Sequence, residues 1–172
     1  VMDNQIYGLT KGQTSPSSAK GFVTKSTPKG NIEKNVAPLE LALSSGATFV
    51  AQGFSSDIKA LTKMIEDAIH HDGFSFVNVF SPCVTYNKVN TYDWFKEHLT
   101  SIDDIEGYDI TDKQLAMKTV LDHESLVKGI VYQDTTTPSY ESQISELEHE
   151  ALAKRDIHIT EETFNDLTAQ FL

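Results

Sequence analysis

The sequence predicts an α/β fold in which helices cover both faces of a parallel sheet. Residues 47–51 and 74–80 are short, apolar and rich in β-branched and aromatic side chains, as buried strands are. The stretch between them carries apolar residues at helical spacing. A strand, a helix and a strand within about 35 residues form a right-handed crossover, which makes the two strands parallel neighbours.

The first elements follow from local signals. Pro38 in the first turn and Gly46 after the end predict a short helix over 38–43. The second helix begins after Ser55 or Ser56, either of which serves as the N-cap. Its apolar positions recur every three or four residues at Ile58, Leu61, Met64 or Ile65, and Ala68 or Ile69.

In the second half of the chain the spacing of apolar residues is less regular, but it still predicts helices and one strand. Helices are expected from Tyr92 and over 112–127, with a strand over 128–132 between them and the tail. We expect two helices in the tail, one from Ser139 to Lys154 and one from Glu161 to Phe171. The first of these is acidic, with Glu141, Glu146, Glu148 and Glu150. The tail is interpreted as structural or as a subunit contact.

The bulk composition excludes several classes of function. With 14 Lys and Arg against 25 Asp and Glu, the formal net charge is −11, which opposes binding to nucleic acid or anionic lipid. No apolar run approaches the roughly 20 residues of a membrane span, and the first residues lack the pattern of a secretory signal. We therefore expect a cytoplasmic protein. The single Cys83 cannot form an internal disulfide, nor supply four thiolates by itself.

The segment 3–16 is a dense run of polar residues, Gly and Pro directly after an apolar start. Its glycines permit a close approach to a ligand, and Asp3 and Asn4 offer oxygen atoms suited to a hard cation. Residues of these types also build ordinary turns that bind nothing. Because parallel strands present their functional loops at their carboxyl ends, we expect this segment and Cys83 at one edge of the sheet.

Two strings of residues carry a family resemblance. The run Asp3-Asn4-Gln5-Ile6-Tyr7-Gly8-Leu9-Thr10-Lys11-Gly12-Gln13-Thr14-Ser15 resembles the thiamine diphosphate and magnesium loop in the beta subunits of 2-oxoacid:ferredoxin oxidoreductases, particularly the 2-oxoglutarate or broad-specificity branch. The run Ser81-Pro82-Cys83-Val84-Thr85-Tyr86-Asn87 resembles the family segment that gives one cysteine to a 4Fe-4S cluster. The two strings occur in the family's order and at about its separation.

The resemblance implies a role for each matching residue. The side chain of Asn4 and the carbonyl of Ile6 would bind Mg²⁺, and Leu9 and Thr10 would lie against thiamine diphosphate. Lys11 would meet the carboxylate of the 2-oxoacid. Cys83 would be one ligand of the 4Fe-4S cluster.

The resemblance also implies the reaction and the organisation of the chain. The fold would be the thiamine diphosphate-binding fold, truncated on its N-terminal side. Residues 1–100 would be the C-terminal part of the cofactor-binding domain, and residues 101–172 an extension of the same subunit. The reaction would be oxidative decarboxylation of a 2-oxoacid to acyl-CoA and CO₂, with ferredoxin as electron acceptor, coenzyme A as acyl acceptor and an alpha subunit as partner.

Two other functions stay open from the sequence. A thiamine diphosphate decarboxylase without iron–sulfur chemistry would use the same loop but would not need Cys83 in this setting. A non-catalytic interaction module would use the acidic tail alone. Under the family resemblance too, we expect the isolated chain neither to turn over 2-oxoacids nor to hold a cluster, since the other cluster cysteines and the second magnesium ligand of the family are not in it.

Overall fold

The computed structural model describes residues 1–145, 147, 150, 152–156, 158–169 and 171. The chain divides into two compact units, Val1–Thr137 and Pro138–Leu172. The boundary expected at residue 100, between a cofactor-binding part and an extension, stays a prediction.

The first unit is a five-stranded mixed sheet with helices, so the expected α/β class is confirmed. Its strands are β1 (Met2–Asp3), β2 (Phe49–Phe54), β3 (Ser75–Phe80), β4 (Thr100–Ser101) and β5 (Val127–Gln133). Their order across the sheet is β1-β3-β2-β5-β4. The expectation of a wholly parallel sheet is wrong, because β5 runs antiparallel to β2. The hydrophobic pattern of a strand does not show whether the strand pairs parallel or antiparallel with its neighbour.

The predicted crossover is present. Strands β2 and β3 are parallel neighbours joined by helix α2 (Ile58–His70), with Phe49 opposite Ser75 and Phe54 opposite Phe80. The N-cap of α2 is Asp57, whose carboxylate accepts a hydrogen bond from the backbone N–H of Ala60 at 3.3 Å. The helix therefore begins one or two residues later than the Ser55 or Ser56 start predicted for it.

The other predicted helices of the first unit are present, but the one expected over 112–127 ends at Asp122, and Val127 belongs to β5. Helix α1 (Pro38–Ser44) has Pro at its start, and α3 (Tyr92–His98) is capped by the hydroxyl of Thr91. Helix α4 (Lys113–Asp122) is capped by the carboxylate of Asp112. Between strands and helices lies a core of buried aliphatic residues, among them Leu39, Leu43, Val50, Val120, Val127 and Val131.

In the second unit, the predicted final helix is present as α5 (Glu161–Ala169). The prediction of an acidic helix over Ser139–Lys154 is wrong for the described residues. They form two short 3₁₀ helices instead, Glu141–Gln143 and Leu152–Lys154. The carbonyl of Ser139 accepts from the Ser142 hydroxyl at 2.9 Å and from Nε2 of Gln143 at 3.1 Å, so side chains occupy an acceptor that an α-helix would use. Glu146 and Glu148 lie outside the described residues.

Candidate cofactor and cluster site

Both predicted site segments lie at one edge of the sheet. Strand β1 runs parallel to β3, with Asp3 opposite Phe80, so the segments that follow both strands leave in the same direction. The N–H of Ser81 donates to the carbonyl of Asp3 at 2.9 Å and extends this pairing past the end of β3. The expectation that the loop and Cys83 meet at carboxyl strand ends is confirmed.

Asn4 is fixed at two points by the segment that contains Cys83. The hydroxyl of Ser81 donates to Oδ1 of Asn4 at 2.8 Å, and Nδ2 of Asn87 donates to the Asn4 carbonyl at 3.2 Å. Asn87 is buried, and its Oδ1 accepts from the N–H groups of Val89 and Asn90. The position and rotamer of Asn4 thus depend on residues more than 75 positions downstream.

The loop also closes on itself. The N–H of Tyr7 donates to the Gln13 carbonyl and the N–H of Gly12 to the Tyr7 carbonyl, both at 2.9 Å. Gly12 has φ +99°, and a Cβ there would come within 3.3 Å of the Tyr86 ring. Glycine is required here for both reasons. The resulting tight loop presents Leu9, Thr10 and Lys11 at an exposed tip, with Leu9 99% exposed.

Serine side chains hold the base of the loop. Ser18, which is buried, donates from its hydroxyl to the carbonyl of Gln5 at 2.7 Å. The carboxylate of Asp3 accepts from the Ser17 hydroxyl at 2.6 Å and from the Gln5 N–H at 2.8 Å. The sequence predicted that Asp3, like Asn4, offers oxygen atoms to a cation. In the structure, one carboxylate oxygen of Asp3 is used to hold the loop.

Two oxygen atoms of the loop, Oδ1 of Asn4 and the carbonyl oxygen of Ile6, are suited to bind a magnesium ion but supply only part of its coordination shell. Oδ1 of Asn4 keeps a second lone pair after accepting from Ser81. The carbonyl of Ile6 accepts no hydrogen bond within the described part of the chain, and its side chain is anchored at 4% exposure. An amide oxygen and a backbone carbonyl suit Mg²⁺, which prefers octahedral oxygen coordination. Further ligands must come from the cofactor, from water and from other protein segments.

Cys83 is placed directly against the loop. A Cβ built on Gly8 would lie 3.0 Å from Sγ of Cys83. Partial burial raises the pKa of the Cys83 thiol. The opposing effect is larger in sum, because the thiolate is stabilised by the backbone N–H groups of Tyr86, Thr85 and Asn87 and by the charge of Lys88. The pKa of Cys83 is therefore lower than its ordinary value. Backbone N–H groups around a thiolate are what an iron–sulfur ligand needs.

The described residues do not complete either metal site. Nowhere among them do three His, Cys, Asp or Glu side chains converge as metal ligands. Within the same residues, no helix combines the length and apolar character needed to cross a membrane. The residues that hold the site together, Ser81 and Asn87, lie in the motif around Cys83, but their contacts with Asn4 have no signature in the sequence.

Comparison with known proteins gives the class of protein first. A family model described as the C-terminal TPP-binding domain of thiamine pyrophosphate enzymes matches residues 1–79. A second, described as the C-terminal part of the pyruvate ferredoxin oxidoreductase beta subunit, matches residues 83–149. The class of protein is therefore that of the thiamine pyrophosphate enzymes.

Individual relatives narrow the assignment. A 2-oxoacid:ferredoxin oxidoreductase subunit beta from Sulfolobus sp. is 40% identical over 152 residues, which cover 83% of this chain and 50% of that protein. Its counterpart from Saccharolobus solfataricus is 37% identical over 85% of this chain and 51% of the relative. The chain spans about half the length of these curated relatives.

A solved structure agrees with the sequence relatives. The 2-oxoglutarate:ferredoxin oxidoreductase from Magnetococcus marinus, with 2-oxoglutarate, coenzyme A and succinyl-CoA bound, superposes with a TM-score of 0.80 at 32% identity. The match covers 96% of this chain and 56% of that one. The chain belongs to the family of beta subunits of 2-oxoacid:ferredoxin oxidoreductases.

Proposed function

We propose that the intact subunit, paired with an alpha subunit, catalyses the thiamine diphosphate-dependent oxidative decarboxylation of a 2-oxoacid. The products are acyl-CoA and CO₂, and ferredoxin accepts the electrons. One observation carries the proposal: the cofactor loop and the Cys83 segment form a single site, in which Ser81 fixes Asn4 and Gly8 lies against Cys83. A decarboxylase without a cluster would not need Cys83 in this setting. The expected location is cytoplasmic, where coenzyme A and ferredoxin are available.

In this proposal each group has a separate task. Oδ1 of Asn4 and the carbonyl of Ile6 bind Mg²⁺, which neutralises the diphosphate. Thiamine diphosphate, when bound, supplies the electron sink for decarboxylation. Leu9 gives the cofactor an apolar contact and Thr10 a polar one.

Lys11 and Cys83 act on the substrate and on the electrons. Lys11 is exposed on the loop, so its ammonium group is accessible and can orient the substrate carboxylate. Cys83 is one ligand of a 4Fe-4S cluster that passes electrons on. Family members named for 2-oxoglutarate and for 2-oxoacids favour 2-oxoglutarate or a broad range of substrates.

The test uses the full-length subunit assembled with its alpha subunit. CoA-dependent reduction of ferredoxin is measured with 2-oxoglutarate and with pyruvate, for the unmodified enzyme and for Cys83→Ala, Lys11→Ala and the control Lys59→Ala on helix α2. We expect Cys83→Ala to lose electron transfer and the visible absorbance of the cluster. Lys11→Ala should raise the KM for the 2-oxoacid, and the control should change neither.

Full ferredoxin reduction by Cys83→Ala would instead favour a thiamine enzyme whose electrons follow another route. The 172-residue chain alone should neither turn over 2-oxoacids nor hold a cluster, because its described residues contain no complete ligand set. Activity of this chain by itself would contradict the proposal.

A further inference from the structure

The charges of this acidic chain are unevenly distributed. No Asp or Glu occurs between Asp3 and Glu33, nor between Asp72 and Asp93, although the whole chain carries −11. These two stretches contain five lysines, namely Lys11, Lys20, Lys25, Lys29 and Lys88. They are also the stretches that form the candidate site.

The fold brings the two stretches together on one surface. A cleft of about 570 Å³ is lined by both stretches, by Lys25 and Pro28 from the first and by Thr85 and Tyr86 from the second. Ile6 and Lys11 of the candidate site line the same cleft. Gly21 and Gly30 are in contact, since a Cβ on Gly30 would lie 2.9 Å from the Gly21 carbonyl. This contact brings together the two chain segments that carry Lys20 and Lys29.

The last cation lies beside the cluster cysteine. Nζ of Lys88 donates to the carbonyl of Val84, the residue after Cys83, at 2.6 Å. We call the surface formed by Lys20, Lys25, Lys29 and Lys88 with Val84 and Tyr86 the basic face. Lys11 is left out of it because the proposed function assigns it to the substrate.

The lysines of the basic face are exposed and their charges are not neutralised by an acidic side chain within the described residues. None of them is ion-paired within the described residues, whereas Lys63, Lys96, Lys118 and Lys128 each pair with an aspartate. The positive charge of a lysine without an acidic neighbour is not neutralised within the chain and can attract an acidic partner. Val84 is 67% exposed and Tyr86 36% exposed, so an apolar centre lies among the cations. An apolar centre with a charged rim is the usual composition of a protein interface.

We propose that the basic face docks an acidic electron-carrier protein, the ferredoxin of the proposed function on which this inference rests. The remainder of the chain is strongly negative and repels such a partner, so attraction is confined to the surface next to Cys83. Steering of this kind orients the carrier before contact and raises the association rate. It also brings the carrier to the cluster ligand, where electrons leave.

The experiment uses the full-length enzyme with its alpha subunit. One variant combines Lys20→Gln, Lys25→Gln and Lys29→Gln; the control combines Lys59→Gln, Lys113→Gln and Lys154→Gln, which are exposed lysines elsewhere with no ion pair among the described residues. Both variants lose three positive charges. Ferredoxin reduction is measured over a range of salt concentrations, and methyl viologen reduction reports the chemistry without a protein acceptor.

We expect the KM for ferredoxin to rise about tenfold at low salt in the basic-face variant, with a weaker dependence on salt. Its methyl viologen activity and its KM values for the 2-oxoacid and coenzyme A should match those of the unmodified enzyme. The control variant should keep its ferredoxin KM. Lys88 is kept in this variant because it lies beside Cys83, so the cluster absorbance should be unchanged.

Three results would overturn the inference while leaving the proposed function intact. One is an unchanged ferredoxin KM, or an equal rise in the control. Another is a raised KM for the 2-oxoacid or coenzyme A with methyl viologen as acceptor, which would show that the lysines attract small anions. The third is failure of the basic-face variant alone to assemble with the alpha subunit. Absence of 2-oxoacid-dependent methyl viologen reduction in the unmodified enzyme would instead refute the proposed function, and this inference with it.

Discussion

The hydroxyl of Ser81 donates a hydrogen bond to Oδ1 of Asn4 at 2.8 Å and so joins the strand end before Cys83 to the proposed magnesium ligand. Ser81 is itself buried at 9% exposure. A buried donor at this distance selects which side of the Asn4 amide presents oxygen and which lone pair stays free. The cofactor loop and the Cys83 segment are therefore positioned by each other.

We expect Ser81→Ala to weaken Mg²⁺-dependent binding of thiamine diphosphate by about 10- to 100-fold, as losses of outer-shell partners do. Without the hydroxyl, the amide of Asn4 can rotate and present its NH₂ group to the metal. Mg²⁺ titrations of the full-length subunit with its alpha partner, followed by cofactor-induced fluorescence change, measure the effect. Ser56→Ala, at an exposed serine that makes no side-chain bond within the described chain, is the control. Equal affinities in both variants would argue against a positioning role for Ser81.

Gly8 and Cys83 give a second test of the same junction. Gly8→Ala places a methyl group 3.0 Å from Sγ, which is closer than side chains normally pack. We expect a destabilisation of about 1–2 kcal/mol from overpacking, measured by urea unfolding of the chain.

The matched experiment repeats this substitution in a Cys83→Ala background. There the added methyl group has room, and alanine reduces the entropy of the unfolded chain, so Gly8→Ala should become neutral or stabilising by up to about 1 kcal/mol. The same cost in both backgrounds would mean that the close contact with Cys83 is not what requires glycine at position 8.

The sequence predicted the parts of the fold whose signals are local. Pro38 marks α1, the spacing from Ile58 to Ile69 marks α2, and the composition of 74–80 marks β3, because each signal acts on its own backbone. The direction of β5 and the absence of a helix after Ser139 were not predictable in this way. The first depends on pairing with β2, and the second on side chains that occupy the carbonyl of Ser139.

The same distinction applies to the site. The types of residue in segment 3–16 and around Cys83 identified the two halves, and parallel strand topology predicted that they meet. The sequence contained no sign that Ser81 and Asn87 would hold Asn4, or that Gly8 would lie on Sγ, since these contacts join residues about 80 positions apart. Such contacts depend on the register of β1 against β3.

Gln52 supports the sheet beneath the site through a buried polar chain. Its Nε2 donates to the carbonyls of Ser125 and Val127, both at 2.7 Å, and its Oε1 accepts from Nδ2 of Asn78 at 2.9 Å. Gln52→Leu leaves these three groups without a partner in the interior. We expect a loss of about 3 kcal/mol or more in the free energy of unfolding, since each abandoned group costs about 1–3 kcal/mol.

The control for that measurement is Gln114→Leu, at an exposed position on α4. It makes the same chemical change at the surface, where effects stay within about 0.5 kcal/mol. Equal urea midpoints for the two variants would mean that the hydrogen bonds of Gln52 do not contribute to stability.

Tyr108 makes the stability of the first unit sensitive to alkaline pH. Burial, and to a lesser degree the charge of Asp112, raises the pKa of Tyr108 to about 12, and its hydroxyl donates to the Val131 carbonyl on β5 at 2.6 Å. The unfolded tyrosine ionises near its ordinary pKa of about 10 while the folded one stays protonated. The contribution of Tyr108 to the free energy of unfolding is therefore complete below pH 10 and is lost as the pH rises towards 12.

Urea unfolding at pH 8 and at pH 11 should show a larger loss in the free energy of unfolding for the native chain than for Tyr108→Phe, which has no proton to release. At pH 8 the substitution should cost about 1 kcal/mol, for the lost hydrogen bond and the unpaired carbonyl. Tyr140→Phe, at a tyrosine that is 74% exposed, should follow the native pH dependence. Parallel pH curves for Tyr108→Phe and the native chain would show that Tyr108 is not the group that couples stability to alkaline pH.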